Sequence, residues 1–470
     1  MGIKKRIAQY AKDNFNEVMH TTLNPEGPGV VRIHLIPPDS NFDNEIGASV
    51  AIINGQDIIP VNTSWAILLT EFIKEVNKYH GKAVSEWDSE AIVNNTVKDV
   101  RQVFPLLSKK LIKNDIYRIM NTFTQVAYGE VPDEEIEILS LSDYEPYMKA
   151  PHRMDLLVSS MVKGGKWHCN QNCVHCYAAG QDLVSEEELS TDDWKKIIDK
   201  CREVHIPQLT FTGGEPTMRD DLFELIDHAK WFVTRLNTNG IKLTKEYCQK
   251  LAEVSLDSCQ ITFYSSDSEI HNKLVGANQY ENTVSGIENA LEAGLNISIN
   301  TPLCTLNKDY VKTLEFLHEK GVTYVTCSGL ITTGNALNES SEELQLSTEE
   351  LKNILAVAVK YCAENEMEIS FTSPGWIEEE FFNEIHINKP TCGACLSNMA
   401  ITPGGNVVPC QSYLSCSPLG NMLSDDWSNI WNNDECINHR KFSAKMTGVC
   451  PLRKNKNDSD VLDNKKEEVQ

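Results

Sequence analysis

The chain has 470 residues, which is too many for a single typical hydrophobic core, so we predict two or three domains. Its 43 Lys and Arg against 67 Asp and Glu give a formal net charge of -24, which argues against nucleic acid or an anionic membrane as a partner. No run of about 18 apolar residues occurs and the N-terminus is polar, so we expect neither a membrane span nor a secretory signal, and a cytoplasmic protein. Fifteen cysteines in an intracellular chain indicate metal binding rather than disulfides.

The first predicted domain covers residues 28–125 and follows a polar start that we expect to be only partly ordered. Three apolar runs predict strands, at residues 30–36, 48–54 and 58–61. The turn signal Asn54-Gly55 pairs the last two as a hairpin, and two helical patterns follow, the second expected to kink or split at Pro105. A hairpin followed by helices resembles the winged-helix-like RiPP recognition element, a module of enzymes that act on ribosomally synthesised, post-translationally modified peptides.

The resemblance implies that an exposed strand edge of this domain captures the leader of a precursor peptide by β-augmentation. A helical N-terminal extension without peptide binding is the alternative. Residues 126–152 are rich in Glu, Asp, Pro and Tyr and are predicted to be a solvated linker.

From residue 153 to 373, predicted strands alternate with amphipathic helices. This alternation predicts an α/β fold whose parallel sheet curls into part of a barrel. Two of the helices carry capping pairs, Ser190 with Asp193 and Ser347 with Glu350. In such folds the chemistry lies at the carboxyl ends of the strands. Five candidate residues are placed there: Cys169, Gly213, Asn237, Ser265 and Asn300.

The motif Cys169-Asn-Gln-Asn-Cys173-Val-His-Cys176 places three thiols in one short stretch. Three thiolates leave one iron of a [4Fe-4S] cluster open, and an open position marks a reactive metal site. The spacing, with His175 before the last cysteine, resembles the signature of the radical S-adenosylmethionine (SAM) enzymes. That resemblance implies a partial (β/α)6 TIM-like barrel, SAM bound to the open iron through its amine and carboxylate, and His175 near the adenine. For the motif alone, a zinc knuckle or a chance triplet is the alternative.

A second motif, Gly213-Gly214-Glu215-Pro216, ends a predicted buried strand. Two glycines let the backbone approach a ligand closely, and the resemblance implies that this turn holds the SAM amine. Asn237, Ser265 and Asn300 resemble the family's positions near the SAM ribose and methionyl carboxylate. Each is also explained by ordinary turn or strand chemistry.

The C-terminal cysteines form a second region, residues 390–452. Gly404-Gly405 between two apolar strand pieces predicts a hairpin that brings Cys395 and Cys410 together. The order of cysteines around Gly405 resembles the SPASM and twitch extensions, which bind auxiliary [4Fe-4S] clusters. The implied ligands of at least one auxiliary cluster are Cys392, Cys395, Cys410 and either Cys416 or Cys450. A structural zinc site is the main alternative, because four thiolates satisfy zinc equally well.

Together the resemblances imply an enzyme that reductively cleaves SAM to a 5′-deoxyadenosyl radical, with electrons from a flavodoxin or ferredoxin-type reductant. The expected substrate is a ribosomally made precursor peptide that gains a thioether, a carbon–carbon crosslink or an epimerised residue. A maturase of a folded protein or a porphyrin-modifying relative is the alternative within the family. A non-catalytic Fe–S or zinc binding module is the alternative of another class.

Overall fold

The structure is a computed structural model that describes residues 2–15, 18–23, 31–37, 49–55, 57–79, 82–133, 136, 139, 144–254, 256–338, 343–446 and 448–453. The tail from Lys454, whose polar sequence predicts disorder, lies outside the described residues, as do Val30 and Ala48 at the starts of two predicted strands. The chain divides into two compact units. The first is Met1–Arg153 with Cys201–Gln208 and Trp231–Val233, and the second is Met154–Lys200 with Leu209–Lys230 and Thr234–Gln470.

The first unit contains a four-stranded antiparallel sheet in the order β1-β2-β3-β4. Its strands are β1 (Met19–Leu23), β2 (Val31–Ile36), β3 (Ser49–Ile53) and β4 (Asp57–Val61). Its helices are α1 (Ile3–Asn14), α2 (Thr63–Asn77), α3 (Ser89–Val103) and α4 (Lys109–Ala127). The predicted hairpin is confirmed, with Ile53 opposite Asp57 across the Asn54-Gly55 turn. Helix α1 and strand β1 lie within the start that we expected to be only partly ordered.

The core of the first unit forms between one face of the sheet and helices α2, α3 and α4. Alternate residues of β2 supply this face, namely Val31, Ile33 and Leu35, because successive strand side chains point to opposite sides. The predicted split at Pro105 is confirmed: α3 ends at Val103 and α4 begins at Lys109. A proline lacks the N–H that would continue the helix.

The second unit is organised around a ten-stranded sheet in the order β13-β12-β11-β10-β9-β8-β5-β14-β15-β16. Its strands β5 and β8 to β13 are Arg153–Ser159, Gln208–Gly213, Val233–Thr238, Ser258–Thr262, Ile297–Pro302, Tyr324–Ser328 and Glu368–Phe371. Neighbours from β9 to β13 pair in parallel. The predicted α/β fold with a partial TIM-like barrel is confirmed, and β13 adds a seventh strand to the six that were predicted.

Helices connect these strands in the βα manner. They are α5 (Thr191–Glu203), α6 (Leu222–His228), α7 (Lys245–Glu253), α8 (Ser268–Val275), α9 (Tyr280–Glu292), α10 (Tyr310–Glu319), α11 (Thr348–Glu364) and α12 (Glu379–Glu384). Both predicted caps form, since Ser190 Oγ accepts from Asp193 N at 3.2 Å and Ser347 with Glu350 makes a reciprocal capping box.

The remaining strands form two small hairpins. They are β6 (Val162–Lys163) with β7 (Lys166–Trp167), and β14 (Asn398–Ile401) with β15 (Asn406–Val408), which pairs in turn with β16 (Gly420–Asn421). Two helices follow, α13 (Trp427–Trp431) and α14 (Asp434–Ala444). The hairpin predicted around Gly404-Gly405 is therefore confirmed. Within the described ranges, every helix is too short or too polar to span a bilayer.

Candidate active site

The loop that carries the first three cysteines is fixed to the end of helix α8 by its backbone. Asn172 N donates to Val275 O and Val174 N donates to Leu274 O, both at 3.0 Å. Gly276, at φ +64°, ends the helix, and a Cβ built there would lie 2.2 Å from Asn172 O. Only glycine permits so close an approach, so the helix end and the loop are mutually fixed.

A second segment, after β12, holds the other side of the same loop. Asn335 N donates to Cys176 O at 2.9 Å, and Asn335 Nδ2 donates to Cys173 O at 3.1 Å. Both carbonyls belong to cysteines of the motif, so their thiols are positioned by long-range backbone contacts as well as by their spacing in sequence.

The thiols of Cys169, Cys173 and Cys176 are half-buried and lie within electrostatic reach of one another. Burial raises the pKa of Cys169 to about 12 and raises the pKa of Cys173 and of Cys176 as well. A bound cation would reverse these shifts, because a coordinating thiol is deprotonated. In the described part of the chain, no three His, Cys, Asp or Glu side chains are close enough to hold a single metal ion.

The carboxylate of Glu215 is only 2% exposed at the end of β8. Its Oε1 accepts three hydrogen bonds, from Thr217 N at 3.1 Å, Thr217 Oγ1 at 2.6 Å and Thr238 Oγ1 at 2.6 Å. Its Oε2 accepts from Asn239 N at 2.8 Å. Oε2 therefore carries one hydrogen bond against three at Oε1, which makes it the oxygen with more room for a further donor such as an ammonium group. Burial is the main reason that the pKa of Glu215 is raised.

The backbone at Gly213 passes too close to β5 for any side chain. At φ +136°, a Cβ built on Gly213 would lie 2.4 Å from Ser159 O. Next to it, Gly214 N donates to the same carbonyl at 2.7 Å. The two glycines thus bring the Glu215 turn directly against the end of β5, as the strand-end motif indicated.

Three further candidates lie along the next strands with different surroundings. Asn237, in β9, has a buried Oδ1 with no hydrogen-bond partner among the described residues. Ser265 Oγ accepts from Asp267 N at 3.1 Å, which is ordinary turn chemistry. Asn300 lies within β11 rather than at its end, and its Oδ1 accepts from Thr326 Oγ1 at 2.9 Å. Of the three, Asn237 has the free acceptor that a ribose hydroxyl would satisfy.

His175 is 7% exposed, and its ring centre lies 5.2 Å from that of Tyr264. Burial lowers the pKa of His175 to about 4, so the ring is neutral at pH 7. Its buried Nε2 has no partner in the described residues. A neutral ring nitrogen of this kind can bond an adenine edge, which agrees with the expected place of His175 beside that base.

In the second region, three cysteines are within electrostatic reach of one another, Cys392, Cys410 and Cys450. The hairpin brings Cys395 to the same place, because Cys395 N donates to Pro409 O at 3.1 Å, next to Cys410. The expectation that the hairpin brings Cys395 and Cys410 together holds for the backbone, and the Cys395 thiol also lies within electrostatic reach of Cys410.

The Cys395 thiol, however, lies within hydrogen-bond reach of the Cys436 sulfur on α14. This proximity raises the pKa of Cys395 and, with the nearby Arg440 guanidinium, lowers the pKa of Cys436. Arg440 NH1 lies 3.6 Å from the Cys436 sulfur, and its guanidinium stacks on Trp431 at 4.0 Å. Nothing in the local sequence pattern around Cys436 indicated this pair.

The contacts of Cys416, one of the two candidates for the fourth ligand, are with residues other than the predicted ligands. It packs, like Cys169 and Cys176, against a buried cluster that contains Leu157 and Val408. Its thiol donates to Tyr413 O at 3.3 Å. These contacts favour Cys450 over Cys416 as the partner of Cys392 and Cys410.

Sequence reasoning missed the side chains that hold the chemical groups in place. Thr217, Thr238 and Asn239 hold Glu215, and Asn335 holds the first cysteine loop. Glu186 fixes the C-terminal hairpin turn, accepting from Thr402 Oγ1 at 2.6 Å. Thr238 and Asn239 directly follow Asn237, which the sequence did indicate, whereas Thr217, Asn335 and Glu186 carry no local signal.

Two family descriptions match the chain. Residues 168–317 match the radical SAM superfamily, and residues 392–453 match SPASM, an iron-sulfur cluster-binding domain. The first range contains the cysteine loop and the Glu215 turn, and the second contains all the C-terminal cysteines described above. The chain therefore carries a radical SAM domain followed by a SPASM domain, and it is an enzyme.

The names of the curated relatives point to different substrates. The AdoMet-dependent heme synthase of Methanosarcina barkeri is 28% identical over 302 residues, which cover 60% of this chain and 85% of the relative. The PqqA peptide cyclase of Bradyrhizobium diazoefficiens is 25% identical, over 60% of this chain and 75% of the relative. The mycofactocin maturase MftC of Mycolicibacterium smegmatis is 26% identical, over 60% and 72%.

Among solved structures, the fold resembles SuiB of Streptococcus suis. SuiB bound to its precursor peptide SuiA has a TM-score of 0.55 and 14% identity, covering 86% of this chain and 91% of that chain. SuiB bound to S-adenosylmethionine has a TM-score of 0.55 and 16% identity, covering 84% and 87%. At such identities the likeness concerns the fold.

The cofactors of the enzyme follow from its domains: a [4Fe-4S] cluster and SAM for the radical SAM domain, and auxiliary iron-sulfur clusters for the SPASM domain. The residues present fit these groups. Three thiols lie on one loop within electrostatic reach of one another, Glu215 Oε2 accepts a single hydrogen bond and so has room for an amine, and buried acceptors at Asn237 and His175 lack partners in the described residues.

Proposed function

We propose that this enzyme modifies a ribosomally made precursor peptide, by forming a thioether or a carbon–carbon crosslink or by epimerising a residue. The bound cofactors supply the radical chemistry, which is the one-electron cleavage of SAM to methionine and a 5′-deoxyadenosyl radical that abstracts a substrate hydrogen. A flavodoxin or ferredoxin-type protein is the proposed reductant. The protein's own part is to hold, orient and shield these groups.

We assign the binding roles as follows. Cys169, Cys173 and Cys176 hold the first cluster, which leaves one iron open for SAM. Glu215 Oε2 accepts the SAM amine, with the rest of its carboxylate fixed by hydrogen bonds from Thr217 and Thr238. The remaining SAM contacts are assigned to Gly213, Gly214, His175, Asn237, Ser265 and Asn300.

For the auxiliary cluster, the electrostatic neighbourhood supports Cys392, Cys410 and Cys450 as ligands. Cys395 is assigned as the fourth, because its backbone lies beside Cys410 in the hairpin. In this assignment the contact between the Cys395 and Cys436 thiols gives way when iron binds. An auxiliary cluster in this place would take an electron from the substrate radical or bind the substrate.

The observation that carries the peptide assignment is the first unit. The likeness to SuiB with its precursor peptide extends over 86% of this chain, whereas the curated relatives match 60% of it. The first unit has an antiparallel sheet whose edge strands are β1 and β4. A leader that adds a strand to such an edge gains main-chain hydrogen bonds without needing a deep pocket.

A porphyrin substrate is the second candidate, favoured by the 28% identity to the heme synthase of M. barkeri. That similarity covers 60% of this chain. The similarity to the heme synthase therefore assigns no role to much of the remaining chain. Peptide capture does assign a role to that part.

The test uses the full-length enzyme, reconstituted with iron and sulfide under strict anaerobiosis and supplied with a reductant and SAM. Candidate precursor peptides are followed by mass spectrometry, and Fe-coproporphyrin III is run in parallel. The proposal predicts 5′-deoxyadenosine together with a peptide that loses two hydrogens, or that takes up one deuterium from heavy water if it is epimerised. Turnover of the porphyrin with every peptide unchanged would contradict it.

A further inference from the structure

Tyr264 lies beside the first cysteine loop and has no part in the assignments above. It follows β10, is 5% exposed, and its ring adjoins that of His175. It belongs to a buried cluster with Leu330 against which Cys173 packs. The Tyr264 hydroxyl is within hydrogen-bond reach of the Cys173 sulfur.

A second side chain, Gln171, reaches the same sulfur. The Cys173 thiol donates to Gln171 Oε1 at 3.6 Å, and the buried Gln171 Nε2 has no partner among the described residues. A thiolate ligand has no proton to donate and accepts only. A half-turn of the Gln171 amide exchanges its oxygen and nitrogen and presents Nε2 to the sulfur. Two donors then converge on Cys173.

Hydrogen bonds to the sulfurs of an iron-sulfur cluster are one of the factors that set its reduction potential. Reduction adds negative charge to the cluster and its thiolates, and a donor stabilises the more negative state more strongly. Each such bond therefore makes the reduction potential of the cluster more positive. A given reductant then reduces a larger fraction of the clusters.

We propose that Tyr264 and Gln171 are positioning residues that raise the reduction potential of the first cluster by donating hydrogen bonds to the Cys173 thiolate. The inference rests on the proposed role of Cys173 as a cluster ligand. It adds a function for two side chains that contact a ligand without binding iron or SAM themselves.

The substitution Tyr264→Phe separates the hydroxyl from the ring, because phenylalanine keeps the contact with His175. The reconstituted variant is titrated potentiometrically, and the first-cluster EPR signal is recognised by its change when SAM is added. We expect a midpoint potential more negative by roughly 59 mV, a tenfold change for a one-electron couple, with an unchanged Kd for SAM. The matched control is Tyr280→Phe, because the Tyr280 hydroxyl that it removes donates to Ser266 O at 3.0 Å and not to a cysteine.

The outcomes separate this inference from the site assignment. If Cys173→Ala keeps the SAM-responsive signal, Cys173 is not a ligand and the site assignment is wrong. If the signal depends on Cys173 but Tyr264→Phe leaves the potential unchanged, the site stands and Tyr264 has no such role.

Should Tyr264→Phe load too little iron to titrate, two measurements decide the question. Gln171→Leu is expected to shift the potential in the same negative direction. Electron–nuclear double resonance on the reduced wild-type enzyme is expected to show an exchangeable proton coupling that the few assembled Tyr264→Phe molecules lack. An unshifted Gln171→Leu, or the same couplings in both proteins, would overturn the proposal.

Discussion

The two cysteine regions differ in how their thiols are brought together. Cys169, Cys173 and Cys176 lie on one short loop, so their spacing in the sequence nearly fixes their spacing in space. Cys392, Cys410 and Cys450 come from the segment before β14, the segment after β15 and the segment after α14. Ligands on one loop are thus recognisable from a motif, whereas ligands from separate elements become recognisable only when those elements are packed.

The largest effect is expected at the contiguous loop. Cys173→Ala removes one of three ligands from a cluster that already has an open iron, so cluster binding and SAM cleavage should both be lost. The measurement is 5′-deoxyadenosine formed per enzyme under anaerobic reduction. Cys201→Ala, at a buried cysteine of α5, is the control and should keep activity. Normal 5′-deoxyadenosine from Cys173→Ala would refute the assignment of the loop.

In the second region, Cys410→Ala should remove about four irons, one cubane cluster, while SAM cleavage persists. The physical reason is that its thiol lies near both Cys392 and Cys450. Cys416→Ala should leave the iron content unchanged, because its contacts are with an apolar cluster and Tyr413 O. Loss of iron from Cys416→Ala, with none from Cys410→Ala, would reverse the ligand assignment.

At the Glu215 turn, the substitution Glu215→Gln keeps the shape and removes the charge. Losing a charge-assisted hydrogen bond of about 1.5–3 kcal/mol should weaken SAM binding by roughly 10- to 100-fold. Equilibrium binding of SAM to the reconstituted enzyme measures this. Glu186→Gln is the matched control, because Glu186 also accepts several hydrogen bonds but in the C-terminal hairpin. Equal binding by Glu215→Gln and wild type would show that the amine lies elsewhere.

The packing that fixes the first loop can be tested without touching a ligand. Gly276→Ala would place a Cβ 2.2 Å from Asn172 O, so the loop or the end of α8 must move. We expect lower iron occupancy of the first cluster and a reduced melting temperature. Gly294→Ala is matched, since Gly294 has φ +72° and nothing within 4 Å of its built Cβ. Loading equal to that of Gly294→Ala would mean that α8 does not position the loop.

The smallest effect concerns His271, on the same helix. It is fully buried, and burial lowers its pKa to about 4 from the ordinary 6.5. Because the pKa of His271 is lower in the folded state, the unfolded state binds the proton more readily as the pH falls. The free energy of unfolding therefore decreases below about pH 6.5, and by pH 5 the decrease is about 2 kcal/mol. His271→Phe should therefore flatten the decrease in melting temperature between pH 7 and pH 5, and an unchanged slope would contradict the account.

How much the sequence could predict depends on the range of the interactions. The cysteine loop, the Gly213-Gly214-Glu215 turn and the Gly404-Gly405 hairpin are local, and the structure forms each of them. Helix α1 was not predicted, although Ile3, Ile7 and Tyr10 recur at helical spacing; none of its residues is buried, so burial adds little to this short pattern.

The unpredicted parts depend on contacts between distant segments. Thr238 and Asn239 hold Glu215 from the next strand of the sheet, and Asn335 reaches the cysteine loop from beyond β12. The pairing of Cys395 with Cys436 requires α14 to pack against the hairpin. No spacing rule in the sequence contains these distances, because folding sets them.

The central claim is that two separate cysteine regions hold two separate clusters. The most direct test compares iron and sulfide content and the EPR spectrum of the anaerobically reconstituted wild type with those of the triple variant Cys169→Ala, Cys173→Ala, Cys176→Ala. We predict about eight irons in the wild type and about four in the variant, with the SAM-responsive signal gone and the auxiliary signal kept. Zinc in place of iron, or an iron content that the triple variant does not lower, would contradict the claim.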